Sequence, residues 1–345
     1  GKKAIDDNFS KYSPVPGYPA LRNAISKKLK AENGLDYAAS EIIVGTGGKQ
    51  GVCNAIMALV NPGDEVIIPA PYWVSYPQMV KLAGGNPVII SAGIEQDFKI
   101  TADQLEASIT PKTKMIILCS PSNPTGSVYT KAELDELAKV VISHEDVFVL
   151  SDEIYEHINY IGKHASIAAC PNMKERTIIC NGVSKAYAMT GWRLGWVAAP
   201  EWIVKGLNKL QGQYTSGTSS VSQMAALAAY EGNQQCVEDF RKTFQRRRDL
   251  IVNLAKGIPG LEVNIPQGAF YLFPKCSSFF GKSNGKYTIN NSTDLAMYLL
   301  EEGHVATVGG DDFGSPDCFR MSYATSDDNI KEALQRIKDA LSKLK

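Results

Sequence analysis

The chain has 345 residues, enough for two packed units that share a cleft. Hydrophobic residues make up 44% and charged residues 21%, the balance of a folded globular protein rather than a disordered or fibrous one. With 36 basic and 36 acidic residues the formal net charge is zero, which argues against a broad nucleic-acid footprint but leaves room for a small cationic pocket.

In chain order, the β-branched run E-I-I-V-G-T-G at 41–47 ends in glycines. Helical spacing follows through Ala55, Ile56, Leu59 and Val60, until the turn N-P-G-D stops it. Strand-like runs recur at 65–70, 87–90, 115–120, 147–152, 177–180 and 195–199. Their continuous apolar character predicts strands buried on both faces of a mainly parallel sheet. Between them, Thr101 caps a short helix through Leu105 and Ile109. Thr130 with Glu133 forms a capping box ahead of Leu134, Leu137, Val140 and Val141. This alternation of strand and helix gives an α/β unit.

The texture changes near Gln234. A long charged stretch to Lys256 predicts a connecting helix, with Arg246, Arg247 and Arg248 on a solvated face. Short strands at 270–273 and 319–322 follow, with helices near 293–302 and 328–343, which together read as a smaller α+β unit. The expected division is 1–240 for the large unit and 241–345 for the small one.

Seven scattered cysteines without a C-x-x-C pair fit reduced thiols in the cytoplasm better than a disulfide framework. The four histidines lack metal-ligand spacing, so no metal is expected. No apolar run is long enough for a bilayer and no secretory signal opens the chain, so no membrane association is expected.

Ligands of an open parallel sheet gather beyond the carboxyl ends of its strands. Four loops there carry unusual residues. G-T-G-G-K-Q at 45–50 offers free N–H groups at a helix start, suited to a phosphate, yet it matches neither the Walker loop nor the dinucleotide fingerprint. S-P-S-N-P-T-G at 120–126 holds Asn123 between two X-Pro bonds, stiff and open to a cis form. S-D-E-I-Y at 151–155 puts Asp152 where an apolar strand leaves the core. A carboxylate there needs a cation or donors, and a pyridinium nitrogen is one such partner. N-G-V-S-K-A-Y-A-M-T-G-W-R-L-G at 181–195 sets Lys185 among small and apolar residues, where desolvation frees an amine to attack a carbonyl. Arg193 in the same loop suits a bidentate phosphate contact. Each loop alone also reads blandly, as a tight turn, a rigid turn, a capping Asp or a surface lysine. Trp192, Trp196 and Tyr187 read as packing, Cys119 and Cys180 as small core residues, and His157 and His164 as surface or supporting groups.

Taken jointly, P-Y-W-V-S-Y, S-N-P-T-G, S-D-E-I-Y-E-H, S-K-A-Y-A-M-T-G-W-R and F-R-M-S-Y-A-T-S resemble the class I and II aminotransferases of pyridoxal-phosphate fold type I. The likeness is nearest to the bacterial aspartate and aspartate/prephenate branch. It implies a three-layer α/β/α large domain beside a smaller α+β domain, with pyridoxal 5'-phosphate as cofactor. By resemblance, Lys185 would carry the cofactor as a Schiff base and move the proton. Asp152 would pair with the ring nitrogen, Tyr155 and Asn123 would bond the ring oxygen, and Trp73 would stack on the ring. Gly48, Lys49, Ser184 and Arg193 would surround the phosphate, and Tyr12 would reach the phosphate of the neighbouring subunit in a homodimer. Arg320 would bind the α-carboxylate, with Asn123 and Trp73 also against substrate, and Lys49 the distal carboxylate. The reaction implied is ping-pong transfer of the L-aspartate amino group to 2-oxoglutarate. Alternatives are a prephenate or aromatic aminotransferase, a β-lyase, and a non-catalytic ligand-sensing module.

Two departures stand out. Gly182 occupies a position that is often serine in relatives, so one phosphate hydrogen bond would be missing or come from Ser184. The chain also begins well inside the family pattern, past the arm and the glycine loop expected to cover the substrate.

Overall fold

The computed structural model describes all of residues 1–345. Seven strands build the main sheet: β1 (Ile42–Gly45), β2 (Glu65–Ala70), β3 (Asn86–Ser91), β4 (Thr113–Cys119), β5 (Phe148–Asp152), β6 (Thr177–Gly182) and β7 (Gly195–Ala198). Their order across the sheet is β1-β7-β6-β5-β4-β2-β3. Strands β3, β2, β4, β5 and β6 pair in parallel, and β7 runs antiparallel to both β6 and β1. Eight helices accompany this sheet: α1 (Lys2–Asp6), α2 (Pro19–Lys28), α3 (Gly48–Leu59), α4 (Ser75–Leu82), α5 (Ala102–Glu106), α6 (Lys131–Ser143), α7 (Glu201–Tyr214) and α8 (Ser220–Glu231). None of the helices in the chain is long and apolar enough to cross a membrane.

The strand runs are legible in the sequence because both faces of the sheet are covered. One apolar cluster joins Ile68, Met115, Ile117 and Leu150 to Val52, Ile56 and Tyr76 of the helices. Another joins Ile67, Ile116, Leu118 and Val149 to Leu134, Leu137 and Val141 of α6. Alternate residues of β2, β4 and β5 thus supply opposite layers, as period-two geometry requires. The run at 87–90 departs from that expectation. As β3 it is the outermost strand, with β2 its one neighbour, and Ile89 is 41% exposed rather than buried. Both expected caps form, with the Thr101 and Thr130 hydroxyls accepting from the backbone N–H groups of Gln104 and Glu133. The Thr101 helix ends at Glu106, one turn earlier than the apolar spacing to Ile109 predicts.

After α8 come α9 (Gln235–Lys256), β8 (Tyr271–Leu272), α10 (Ser292–Gly303), β9 (Val308–Gly309), β10 (Phe319–Ser322) and α11 (Asp327–Leu341). The second sheet is antiparallel, with β10 between β8 and β9. Its core joins Ile251, Val252 and Ala255 of α9 to Leu272, Phe319, Leu299 and Ile337. The reading of a solvated face holds for Arg246, whose side chain is 59% exposed, but not for Arg247 and Arg248, which are largely covered. The Arg248 side chain is 12% exposed, donates to the Pro266 carbonyl at 2.6 Å and lies over the Tyr160 ring. Arg246 and Arg247 both pair with Asp327 at the start of α11. The long stems of arginine bury readily while their heads find acceptors, which a charge count along the chain does not reveal.

Candidate active site

The parallel strands bring their carboxyl ends to one edge of the main sheet, and the loops leaving them enclose a cavity of about 390 Å³. From the main sheet it is lined by Gly48 and Lys49 at the start of α3, Trp73 after β2, and Asn123 after β4. Asp152 and Tyr155 come from the end of β5, Ser184 and Lys185 from the loop after β6, and Arg193 from the turn before β7. Tyr271 and Arg320 reach it from the second sheet. Of the residues that the resemblance assigns to the site, Tyr12 alone lies elsewhere. It is 99% exposed, beside an open hollow formed with the 217–221 segment.

Asp152 is buried at 7% exposure and forms no ion pair. One carboxylate oxygen accepts from the Tyr76 hydroxyl at 2.7 Å and the other from the Ile154 N–H at 3.3 Å. Burial raises its pKa, and those two donors together with the Lys185 charge oppose the rise. The effect on Lys185 is complementary. Burial lowers its pKa, the Asp152 charge pulls the other way, and Arg320 and Arg193 lower it further. A larger fraction of this amine is therefore neutral and nucleophilic near neutral pH than for a solvated lysine. Its Nζ lies 5.5 Å from the Tyr155 ring centre and 5.6 Å from that of Phe270.

Arg320 Nη1 donates to Asn123 Oδ1 at 2.9 Å, leaving the Asn123 amide nitrogen as its remaining donor. The guanidinium sits over the rings of Tyr271 and Phe313, 4.7 and 4.9 Å from their centres. Lys49 Nζ lies 4.8 Å from the Trp73 ring centre.

At the other end of the cavity, α3 starts without a side-chain cap, so its first N–H groups are free for an anion. The turn before it needs glycine, because Gly47 has φ of 81° and a Cβ there would sit 2.5 Å from the Arg193 guanidinium. Gly195 packs still closer, since a Cβ would fall 2.2 Å from the Gly48 nitrogen. Gly182 faces Gly195 in turn, and a Cβ on Gly182 would fall 2.7 Å from the Gly195 Cα. The departure at Gly182 thus has a steric cause, since the strand pair has no room there for a serine.

The cavity also contains residues that the sequence alone does not single out. Tyr76 stands inside P-Y-W-V-S-Y with no role expected of it, and Tyr271 reads as part of a strand. Cys119, expected in the core, lines the cavity wall. Trp196 is core as expected, whereas Trp192 is 41% exposed.

Behind β5 the fold assembles carboxylates and histidines that sequence spacing does not suggest, namely Glu32, Glu156 and His157, and Glu153, Glu156 and His164. They are already neutralised by protein partners. Glu156 pairs with buried Lys28 and accepts from Asn181 Nδ2 at 2.7 Å. Burial alone would raise its pKa, but Lys28, His157 and His164 hold it well below the carboxylate range. Glu153 accepts from Ser151 and Ser166 and pairs with His164 at 3.0 Å. Burial disfavours the charged His164, yet the Glu153 and Glu156 charges outweigh it and Lys28, so its pKa is raised. The pair's stabilisation is therefore complete below the unfolded histidine value and fades as pH rises through the folded one. We expect His164→Gln to lower the melting temperature by about 2 °C or more at about pH 5.5, and by less at about pH 9. Scanning calorimetry at both pH values checks this, and an equal or larger loss at high pH contradicts it.

An α/β sheet that aims a desolvated lysine, a buried carboxylate and an anion-binding helix start into one cavity defines an enzyme built around a carbonyl-bearing cofactor. The donor set fits pyridoxal phosphate: an unpaired acid for a ring nitrogen, an amine for an aldehyde, and a glycine cradle with Arg193 for a phosphate. Comparison with known proteins agrees. The family model for aminotransferase class I and II matches residues 2–337. An aspartate/prephenate aminotransferase of Cereibacter sphaeroides is 49% identical over 339 residues, covering 97% of this chain and 85% of that protein. A bifunctional aspartate aminotransferase and glutamate/aspartate-prephenate aminotransferase of Petunia hybrida is 48% identical, covering 100% of this chain and 73% of that protein. The crystal structure of the aspartate aminotransferase from Rhizobium meliloti superposes with a TM-score of 0.96 at 46% identity, covering 100% of this chain and 87% of that one. The chain belongs to the class I and II aminotransferases, and its cofactor is pyridoxal 5'-phosphate.

Proposed function

We propose that the enzyme transfers the amino group of L-aspartate to 2-oxoglutarate in two half-reactions at this one cavity. The observation that carries the reading is the placement of two further cations, Arg320 and Lys49, in the same cavity as Lys185. A dicarboxylate needs two cationic grips, and an amino acid with a neutral side chain needs one. The names of the relatives support both aspartate and prephenate as substrates, and prephenate too carries two carboxylates.

Bound pyridoxal phosphate supplies a carbonyl for the amine and a ring that spreads the negative charge developing at the substrate α-carbon. Lys185 Nζ, shifted toward the neutral amine by burial, takes and returns the substrate α-proton. Asp152 would keep a proton on the ring nitrogen of the bound cofactor. Tyr155 and the Asn123 amide nitrogen donate to the ring oxygen. Trp73 covers the ring, and the N–H groups of Gly48 and Lys49 hold the phosphate with Ser184 and Arg193. Arg320 grips the α-carboxylate as a planar fork, with Asn123 fixing its orientation. Lys49 meets the distal carboxylate.

The test is a near-visible spectrum of the loaded enzyme before and after L-aspartate, with Lys49→Ala beside it. Aspartate should convert the cofactor band in the wild type. In the variant, KM for aspartate should rise about tenfold or more while a neutral amino acid is little affected. Equal losses for both substrates contradict the role of Lys49.

The homodimer belongs to the same reading, with Tyr12 completing the phosphate site of the partner. The full exposure of the Tyr12 ring supports it, since a large aromatic left in solvent suits an interface. Light scattering should report twice the chain mass, and a monomer at working concentration argues against it. The division at 1–240 and 241–345 is supported by the cores. The three clusters on the main sheet end by Ala226, and the cluster of the second sheet starts at Ile251. A cytoplasmic setting is supported by seven scattered free cysteines.

A further inference from the structure

Tyr271 has no part in the chemistry described above, yet it touches both ends of it. It lies on β8, whose pairing with β10 sets Ser322 opposite Tyr271 and places Arg320 close by. Its hydroxyl is 2.9 Å from that of Tyr155, and its ring packs edge-on against the Tyr155 ring at 78°. The Arg320 guanidinium lies 4.7 Å from the centre of the same ring. Tyr271 and Tyr155 are both largely buried, which strengthens this hydrogen bond relative to one in open solvent.

We infer that Tyr271 is a positioning residue: its hydroxyl fixes that of Tyr155 and couples it to the charge on Arg320, so that carboxylate binding at Arg320 is felt at Tyr155. The inference rests on the roles proposed above for Tyr155 and Arg320. A hydroxyl has one proton to give, so with the Tyr155 proton directed at the ring oxygen the Tyr271 hydroxyl donates to the Tyr155 oxygen and holds it in place. A cation over an aromatic face polarises the ring, and a carboxylate that neutralises the cation relieves that polarisation. The burial of Tyr271 raises its pKa, while the Tyr155 contact and the Arg320 charge lower it, so the two neighbours act on one hydroxyl. The other titratable groups facing Tyr155 are Asp152, Cys119 and Lys185. None of them makes a hydrogen bond to its hydroxyl, which makes Tyr271 the route from Arg320 to Tyr155.

The experiment titrates the visible band of the cofactor-loaded enzyme with pH, with and without succinate as a non-reacting dicarboxylate. It compares wild type, Tyr271→Phe, Tyr155→Phe and the double variant. Tyr271→Phe should move the midpoint by about half a pH unit or more, which is about threefold in proton affinity. It should also cut the additional shift caused by succinate by about half or more, because the hydroxyl link is gone while the ring over Arg320 remains. In the Tyr155→Phe background, Tyr271→Phe should change nothing further, since its effect passes through the lost hydroxyl. An unchanged midpoint in Tyr271→Phe overturns the inference, and so do additive shifts in the double variant. Should Tyr271→Phe fail to load, Tyr155→Phe cuts the same hydrogen bond from its other side, and a full succinate response there overturns the coupling. A wild type without a visible band sinks the cofactor roles as well, whereas a normal band with a silent Tyr271→Phe sinks this inference alone.

Discussion

Lys185→Ala is expected to lower kcat/KM for L-aspartate by at least about 10⁴-fold, because one side chain supplies both the covalent anchor and the proton carrier. The reason lies in its surroundings. Burial and the nearby Arg320 and Arg193 charges shift Lys185 toward the neutral amine. Lys49 also lines the cavity, but it rests on the Trp73 ring and lacks that burial, so it does not replace the lost amine. Borohydride reduction followed by peptide mass mapping gives a readout independent of turnover. Wild type should gain the mass of the cofactor on the peptide containing Lys185, and Lys185→Ala should gain none. A cofactor adduct on another lysine, with activity retained, removes Lys185 from its role.

Asp152→Asn is the second large effect, an expected loss in kcat of about 10²–10⁴-fold. The substitution keeps size and removes charge. Asp152 is held away from water with Tyr76 and the Ile154 N–H as its donors, an arrangement that leaves the carboxylate underpaired until it meets a protonated ring nitrogen. A neutral amide does not hold that proton, so charge on the α-carbon loses its sink. The same variant should raise the proportion of neutral Lys185, because the one charge that opposes its lowered pKa is gone. Stopped-flow measurement of the aspartate half-reaction distinguishes the two effects. A slow proton-transfer step with a deuterium isotope effect supports the role, and a wild-type rate refutes it.

Much of this site is legible in the sequence because its chemistry stands on strand ends. Asp152 and Lys185 each follow an apolar run that marks a buried strand, so a charged residue there is conspicuous from the order of residues alone. The resemblance adds what spacing does not, above all Arg320, which lies 197 positions from its partner Asn123. The elements that escape have physical reasons. The run of β3 carries the apolar residues of a central strand but sits at an edge, and composition is blind to neighbours. The arginines of α9 look like a solvated face until Pro266, Tyr160 and Asp327 are brought to them by folding. The Lys28–Glu156 pair spans 128 positions, and no local pattern announces it. Tyr76 and Tyr271 escape for the same reason, since each acquires meaning only from an oxygen partner on another part of the chain.

The cavity draws its amine and its acid from one sheet and its guanidinium from the other. The two sheets have separate cores, and the aromatic contacts of Tyr155 with Phe270 and Tyr271 bridge them beside the cavity. Recognition and chemistry therefore share a single alignment tolerance. A small slip of one body past the other spoils the grip on the carboxylate and the reach of the amine together. Mutations in the seam, far from any reacting atom, belong among the sensitive positions of this enzyme.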